Sequence, residues 1–226
     1  MQYHWDFSIV WRYRDVLASG LLGTALLTLL AVALGTLLAI GILALRQSRF
    51  GALSLTARCF VELFRDLPVL VVIFWLFFCL PILLGRSPLL SPFNVAIVAL
   101  GLNFSALMAD ILRSGYEAIP SGELEVARSF GFSRWRILRH IILPQAFWRS
   151  LAPALGQAVN TLKLSSLASF ISVPELFYKT SSLIQETFRP LEFYTVLALL
   201  YLVLILPLSM AVQLVERRLN QRFQYE

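Results

Sequence analysis

Cysteine and histidine are scarce in this sequence, which has two of each among 226 residues. Cys59 and Cys79 lie in apolar stretches and are too few for a disulfide framework or a thiolate metal site. His4 and His140 both fall outside the long apolar runs, whereas an intramembrane hydrolase needs His, Glu or Asp side chains that converge within the bilayer. The composition therefore argues against a metal site and against an enzyme.

Phosphate-binding motifs are also missing. The sequence has no Walker-type phosphate loop, no dinucleotide-binding fingerprint, no low-complexity tract and no convincing internal repeat. The chain is therefore expected to bind no cofactor itself, so that any ATP and Mg²⁺ used in its function would be held by partner chains. No cleavable signal peptide is evident in the polar and aromatic first sixteen residues, and the first long apolar run is expected to act as the insertion signal.

Apolar residues dominate the rest of the chain, at 58% of the composition and a mean hydropathy of +0.76. These values predict a single all-α transmembrane domain over residues 1–226. Runs long enough to cross a bilayer suggest about five transmembrane helices, preceded by an interfacial segment at 1–16 and interrupted by a polar loop at 115–149. The predicted spans are 17–45, 57–84, 93–114, 150–173 and 193–215.

The basic residues orient this five-span prediction. Thirteen of the nineteen Lys and Arg residues fall on the side that contains the 115–149 loop and the carboxy terminus, five fall on the other side, and Lys163 lies within a span. Cytoplasmic loops carry the excess of positive charge, so the amino terminus is expected to be periplasmic and the carboxy terminus cytoplasmic. The net charge of +6 is explained by this asymmetry, and no nucleic-acid partner is expected.

The 115–149 loop reads as two short helices with a break between them. Pro120 ends the preceding segment, Ser121 is a candidate N-cap, and Gly131 falls where a helix would stop in the left-handed conformation. Ser133 is a candidate cap for the second helix, and Pro144 predicts a kink or a restart. Two roles fit this amphipathic segment: a docking element for a soluble partner, or a helix that lies on the anionic membrane surface.

The spacing within this loop favours the docking role. A glutamate, an alanine, a glycine and an Ile-X-Leu-Pro run stand at offsets that resemble the EAA loop of the membrane subunits of bacterial ABC importers; the matching residues are Glu125, Ala127, Gly131, Ile141, Leu143 and Pro144. Val126 departs from the usual second alanine. In that family the loop forms a coupling helix that sits in a groove of the cytosolic ATPase. The resemblance implies an ATPase-coupling surface formed by Glu125, Ala127, Arg128, Phe130, Gly131, Phe132, Leu143 and Pro144.

Polar residues within the spans are candidates for a substrate pathway, because a polar group at membrane depth normally faces a cavity or a partner. The candidates lie in the third and fourth predicted spans: Asn103, Ser105, Gln157, Asn160, Thr161, Lys163 and Ser165. Gln157, Asn160 and Thr161 are expected to share one helix face. Helix packing through interhelical hydrogen bonds is the alternative for the uncharged members. Asp110 and Arg113, three residues apart, predict a structural ion pair.

Three further passages narrow the resemblance. Residues 62–70, 102–111 and 162–169 are similar to signatures of the polar amino-acid branch of these permeases, the importers of the His/Glu/Gln/Arg/opine family. The resemblance implies the fold of an ABC type I importer permease in the bacterial inner membrane. It implies as partners two cytosolic ATP-binding cassette subunits, a second permease subunit of the same or a sister chain, and a periplasmic amino-acid-binding protein.

The cargo is left open by departures at Asp66, Leu67 and Leu164. A polar amino acid is the expected substrate, with an opine or a basic amino acid as the alternative. An ion-coupled secondary carrier is less favoured, because such carriers usually show inverted repeats.

Overall fold

A computed structural model describes residues 3–85 and 91–223, apart from the side chains of residues 220, 222 and 223. The predicted turn around residues 85–88 lies largely outside these ranges. Every regular element in the described residues is helical, which confirms the all-α prediction. In chain order they are α1 (Ser8–Arg12), α2 (Arg14–Arg46), α3 (Gly51–Asp66), α4 (Val69–Phe74), α5 (Leu80–Leu83), α6 (Pro92–Glu117), α7 (Ser121–Ser129), α8 (Arg134–Ile137), α9 (Leu143–Leu164), α10 (Leu176–Thr187) and α11 (Pro190–Phe223).

Three of these helices are long and apolar enough to cross a membrane, namely Arg14–Arg46, Pro92–Glu117 and Pro190–Leu219. A fourth crossing is possible for the pair Gly51–Asp66 and Val69–Leu83, whose axes are bent by 107°. The number of apolar spans among the described residues is therefore three or four, against the five predicted. The difference lies in α9, which has the length of a span but carries too many polar residues to resemble one.

Several predicted span boundaries differ from the boundaries of the helices. The predicted span 57–84 is two helices that meet at the 107° bend. The predicted span 150–173 begins earlier, at Leu143, and ends as a 3₁₀ helix over Ser165–Ile171. The stretch between the predicted spans 150–173 and 193–215 contains the twelve-residue helix α10. Within the predicted interfacial segment at 1–16, the described residues 3–13 contain the five-residue helix α1, and α2 begins at Arg14.

Helices α2 and α6 pack closely along their length. A Cβ added at Gly35 of α2 would lie 2.7 Å from Cδ1 of Phe104 and 2.8 Å from the carbonyl oxygen of Gly101, both in α6. Small residues let helix backbones approach in a membrane, where packing rather than the hydrophobic effect drives association. Two buried clusters extend from this contact, one toward α4 and the 3₁₀ helix and one toward α3.

Prolines account for the irregular turns. Pro68 has no N–H to donate to the carbonyl of Phe64, and the chain bends there. The amide Nδ2 of Asn103, on α6, donates to that freed oxygen at 2.9 Å. Two π-helical turns, Trp75–Cys79 and Leu138–Ile142, come directly before Pro81 and Pro144, where a wider turn relieves the clash between a proline ring and the preceding carbonyl.

Different segments pack at the two ends of the helix bundle. At one end, α10 packs on the start of α2, where a Cβ at Gly20 would lie 3.0 Å from Cα of Leu176. The amino-terminal segment lies on the same end, because the Tyr3 hydroxyl and the Asp6 N–H both donate to the buried Glu192 at the start of α11. At the opposite end, α6 leads through Ala118 into α7.

Candidate functional site

Residues 118–145, which we call the elbow, join α6 to α9 and contain α7 and α8. The elbow is mostly exposed, and its exposed side chains include large apolar ones: Phe130 is 78% exposed, Trp135 66% and Val126 57%. Ala127 is buried, which explains why a small residue suits that position. Apolar side chains displayed on a polar segment outside the membrane core are typical of a surface that a partner covers.

The carboxy end of α7 has a well-formed cap. Gly131 adopts a positive φ of 75°, as predicted for a left-handed helix stop. The N–H of Phe132 donates to the carbonyl of Ala127 at 3.1 Å and that of Gly131 to the carbonyl of Arg128 at 2.9 Å. This pair of bonds is the Schellman motif, and it directs the chain sharply away from the helix axis. The cap thus leaves Phe130 projecting at the tip of the elbow.

Of the two N-caps predicted for the elbow helices, one forms and the other does not. Ser133 caps α8 as expected, because its hydroxyl accepts from the N–H of Arg136 at 3.4 Å. The prediction for Ser121 was wrong: Pro120 occupies the cap position, Ser121 is the first helical residue, and its side chain makes no capping bond. Instead, α7 is held to α9 by the amide Nε2 of Gln145, which donates to Glu123 at 2.6 Å.

The remaining predicted coupling residues surround the tip of the elbow. Glu125 and Arg128 are exposed on α7, and Phe132 lies beneath the Arg136 guanidinium, 5.5 Å from its ring centre. At the far end of the elbow, the first turn of α9 presents two further exposed residues, Leu143 and Pro144. The elbow therefore gathers all eight predicted coupling residues into one continuous segment, and of these eight only Ala127 is buried.

Four of the predicted pathway residues lie inside the bundle. Asn103, Ser105, Thr161 and Ser165 are all buried, and each donates its side-chain hydrogen bond to a main-chain carbonyl. Asn103 stabilises the bend at Pro68, and the three hydroxyl groups bond within their own helices. Asn103 alone therefore makes the interhelical bond of the packing alternative, whereas the three hydroxyl groups are satisfied by carbonyls three or four positions earlier in the chain.

The other three pathway residues line two separate cavities. Gln157 lies on a cavity of about 600 Å³ between α6, α9 and α11, which Asp110 and Glu216 also line. Asn160 and Lys163 are exposed on a groove of about 230 Å³ between α9 and α11. Gln157, Asn160 and Thr161 fall on one side of the continuous helix α9, as predicted, but they do not line one common space, because the first two face different cavities and the third is buried.

The predicted ion pair between Asp110 and Arg113 was also wrong. Asp110 accepts from Nη1 of Arg46 at 2.7 Å and from Nη1 of Arg65 at 3.2 Å, so that it joins the ends of α2 and α3 to α6. Arg113 donates through Nε to Glu117 one turn further on, at 2.7 Å. A spacing of three residues on a helix permits an ion pair, but charged residues that the fold brings close can compete for the same side chains.

Glu175 is a buried carboxylate that the predictions did not include. It caps α10 by accepting from the N–H groups of Phe177 at 2.8 Å and Tyr178 at 2.6 Å. The hydroxyls of Tyr201 and Thr24 donate to it from α11 and α2. Burial raises the pKa of Glu175 above the usual value of a glutamate, and these four donors oppose that rise.

The described residues contain no cluster of three or more His, Cys, Asp or Glu side chains that could hold a metal ion.

Comparison with known proteins gives consistent matches. The family model described as "Binding-protein-dependent transport system inner membrane component" matches residues 31–221. The glutamine transport system permease protein GlnP of Escherichia coli (strain K12) is 33% identical over 222 residues, which cover 97% of this chain and 99% of that protein. The octopine transport system permease protein OccM of Rhizobium radiobacter is 33% identical over 205 residues, covering 88% and 84%.

A solved structure supports the same grouping. The crystal structure of an amino acid ABC transporter with histidines contains a chain that superposes with a TM-score of 0.89 at 30% identity, over 96% of this chain and 100% of that one.

Proposed function

Because this chain belongs to the family of binding-protein-dependent transport system inner membrane components and is the permease subunit of an ABC importer, we propose that it moves a polar amino acid across the inner membrane by alternating access. In this proposal ATP is bound and hydrolysed by separate cassette subunits. The elbow transmits their motion to the spans, and a periplasmic binding protein delivers the cargo.

The exposed apolar tip of the elbow carries the coupling part of the proposal. Phe130 and Val126 stand on a short helix fixed at one end by the Schellman cap and tied to α9 by the bond between Gln145 and Glu123. A helix held in this way moves as a rigid body, so that force applied to its tip reaches α6 and α9. A large aromatic side chain is also the kind of anchor that dominates protein–protein interfaces.

The test is to remove the aromatic tip. Phe130→Ala, in the transporter assembled with its cassette subunits and reconstituted in liposomes, is expected to weaken association of the cassette subunits by about tenfold or more, with uptake falling in parallel. Phe188→Ala is the matched control, because Phe188 is 84% exposed at the opposite end of the bundle. Unchanged association and uptake in Phe130→Ala would remove the elbow from the coupling surface.

The cargo proposal rests on the relatives. The named substrates of the two matched permeases are glutamine and octopine, and both carry a carboxylate and an amine on a polar frame. A polar amino acid is the first candidate, and an opine or a basic amino acid is the second. Uptake by the complete transporter, measured with glutamine, histidine, arginine and octopine in separate ATP-loaded vesicles, distinguishes them. Uptake that follows a proton or sodium gradient without ATP would contradict the ABC mechanism.

Asn160 and Lys163 form the most accessible part of the proposed pathway. They lie on a groove that Ser209 and Gln213 of α11 also line, an unusually polar set for the side of a membrane bundle. We infer that a second permease subunit covers this face, so that the lining becomes internal in the assembled transporter. On that arrangement Lys163 is placed to meet a carboxylate of the cargo, whereas the buried Asn103, Ser105, Thr161 and Ser165 act through packing.

A further inference from the structure

A small basic pocket lies between the end of α2, the middle of α3 and the end of α6, away from both the elbow tip and the α9–α11 groove. Its volume is about 200 Å³. It is lined by Leu43, Arg46, Gln47, Arg58, Arg113, Tyr116 and Glu117. Three guanidinium groups thus surround one space with a single carboxylate among them, and an amide and a phenol complete the polar wall.

Arg46 supplies the strongest indication of a ligand. Its side chain is only 10% exposed, and its Nη1 donates to Asp110 at 2.7 Å. Its Nε is fully buried and has no hydrogen-bond acceptor within the described part of the chain. An unsatisfied buried N–H of a charged group is costly, and because the same guanidinium group belongs to a residue that lines the pocket, an acceptor oxygen bound there would offset part of that cost.

The other arginines leave the pocket positively charged. Arg113 is neutralised by Glu117, to which its Nε donates at 2.7 Å. Arg58 is exposed, and none of the described carboxylates forms an ion pair with it. The turn between α2 and α3 is fixed by the hydroxyl of Ser54, which donates to the carbonyl of Arg46 at 3.1 Å, so Arg46 and Arg58 are held on the same space.

The surroundings of the pocket are those of a membrane interface. The apolar run of α2 ends at Leu45, and Arg46 begins the polar turn that follows. Leu43 lines the apolar side of the pocket. Leu55, one turn before Arg58 on α3, is 62% exposed, and Phe50 at the start of the same helix is also exposed. A ligand in this position would have its polar group among the arginines and its apolar part against α2 and α3.

We propose that this pocket binds the phosphate headgroup of an anionic phospholipid. A phosphate oxygen would accept from the guanidinium group of Arg46, Arg58 would pair with the charge, and the Tyr116 hydroxyl would donate to the glycerol or phosphate oxygens. Basic pockets between membrane helices are known to recognise such headgroups. The bound lipid would connect α2, α3 and α6 next to the Asp110 ion pairs, without any part in ATP coupling.

The test uses the complete chain, purified and placed in nanodiscs that contain phosphatidylglycerol and an excess of phosphatidylcholine. Native mass spectrometry measures how much phosphatidylglycerol is retained on release from the disc. The amount of phosphatidylglycerol retained by the double variant Arg58→Gln/Arg113→Gln is expected to be lower than that retained by the unaltered chain by a factor of about ten or more. Arg49→Gln is the matched control, because Arg49 is exposed in the same α2–α3 turn but does not line the pocket.

Three results would overturn the proposal: retention in the double variant equal to that of the unaltered chain, an equal loss in Arg49→Gln, or displacement of the lipid by millimolar inorganic phosphate. The first would exclude the pocket, the second would indicate a diffuse surface attraction, and the third a site for free anions. Thermal melting in pure phosphatidylcholine discs checks folding. If the double variant melts at a lower temperature than the unaltered chain, Tyr116→Phe, which removes a single hydroxyl group, takes its place. Tyr116→Phe is expected to lower phosphatidylglycerol retention about threefold. Unchanged retention in that variant would contradict the proposal.

Discussion

Glu175 shows how much one buried side chain can organise. It accepts hydrogen bonds from two main-chain N–H groups of α10, from Thr24 of α2 and from Tyr201 of α11. A carboxylate has enough lone pairs for all four donors, whereas an alanine has none and an amide offers one oxygen only. The start of α10 and its attachment to two long helices therefore depend on a single residue.

The first prediction concerns this residue. Glu175→Ala is expected to destabilise the protein by about 2–4 kcal/mol, because it removes a helix cap and leaves buried donors unsatisfied. Glu175→Gln, which retains one acceptor, is expected to cost less. Melting temperature in detergent is the measurement, and Gln185→Ala, at an exposed position on the same helix, is the control.

The pH dependence of the same residue has a defined sign. Burial raises the pKa of Glu175, so the folded chain holds this proton more tightly than the unfolded chain. The associated stability is complete below the unfolded pKa and is lost as the pH rises through the raised folded value. The stability of the unaltered chain relative to Glu175→Gln is therefore expected to fall as the pH is raised from 4 toward neutral. Parallel melting curves for the two chains over that interval would contradict the assignment.

Bonds between near neighbours in sequence were predicted in part, since the caps at Gly131 and Ser133 formed and the one at Ser121 did not, whereas bonds to distant partners were not predicted. Gly131 and Ser133 act through bonds to residues within five positions, and the sequence indicated both. Asn103 bonds a carbonyl 39 positions away, and Asp110 an arginine 64 positions away. Polarity within an apolar run signals that such a residue needs a partner, but it does not distinguish a cargo from a main-chain oxygen.

At the scale of single elements, α7 is defined by how it ends. A positive φ is costly for residues with a Cβ, and the space around Gly131 is open, so strain rather than crowding is what a substitution there would introduce. The conformation of the chain after the helix, and therefore the position of Phe130, depends on this residue.

The second prediction follows from this cap. Gly131→Ala is expected to destabilise the end of α7 by about 1 kcal/mol and to weaken binding of the cassette subunits severalfold, whereas Gly131→Asn should be nearly neutral because asparagine tolerates the left-handed region. Gly122→Ala in the same helix is the control, since Gly122 also has open space but no positive φ. Binding to immobilised cassette subunits provides the measurement. Equal binding by all three variants would show that the cap does not set the docking geometry.

Length and apolar content were sufficient to locate α2, α6 and α11, and insufficient elsewhere. The bend after Asp66 was missed because the predicted span 57–84 joined the charged stretch before Pro68 to the apolar stretch after it. Helix α10 was missed because its apolar face is short and its polar residues suggested a loop. Both elements depend on contacts with α2 or α6, and a pattern along one segment has no information about the partner that stabilises it.

At the scale of the whole molecule, the fold class and the importer family were predicted correctly from motif spacing. The orientation in the membrane stays a prediction, and the structure offers good positions to test it. Ser182 is exposed on α10 at one end of the bundle, and Ser121 is exposed on α7 at the other.

The third prediction is therefore one of accessibility. In a background with Cys59 and Cys79 replaced by serine, Ser182→Cys is expected to react with a membrane-impermeant maleimide in intact spheroplasts, and Ser121→Cys only in inverted vesicles. The expectation follows from the excess of basic residues on the side of the elbow. The chain without cysteines is the control for background labelling. Labelling of Ser121→Cys from outside would reverse the topology and with it the proposed docking of the cassette subunits.

The tight contact at Gly35 has a mechanical consequence. Two helices whose backbones nearly touch cannot slide or roll past each other without losing that fit, so α2 and α6 must tilt together like a single strut. One end of this strut continues into the elbow, and the other supports α10 through Gly20. A displacement of Phe130 at one end of the bundle would then be transmitted to Leu176 at the other end. A change in the bend at Pro68 would accommodate any difference between the movement of α3 and that of α4.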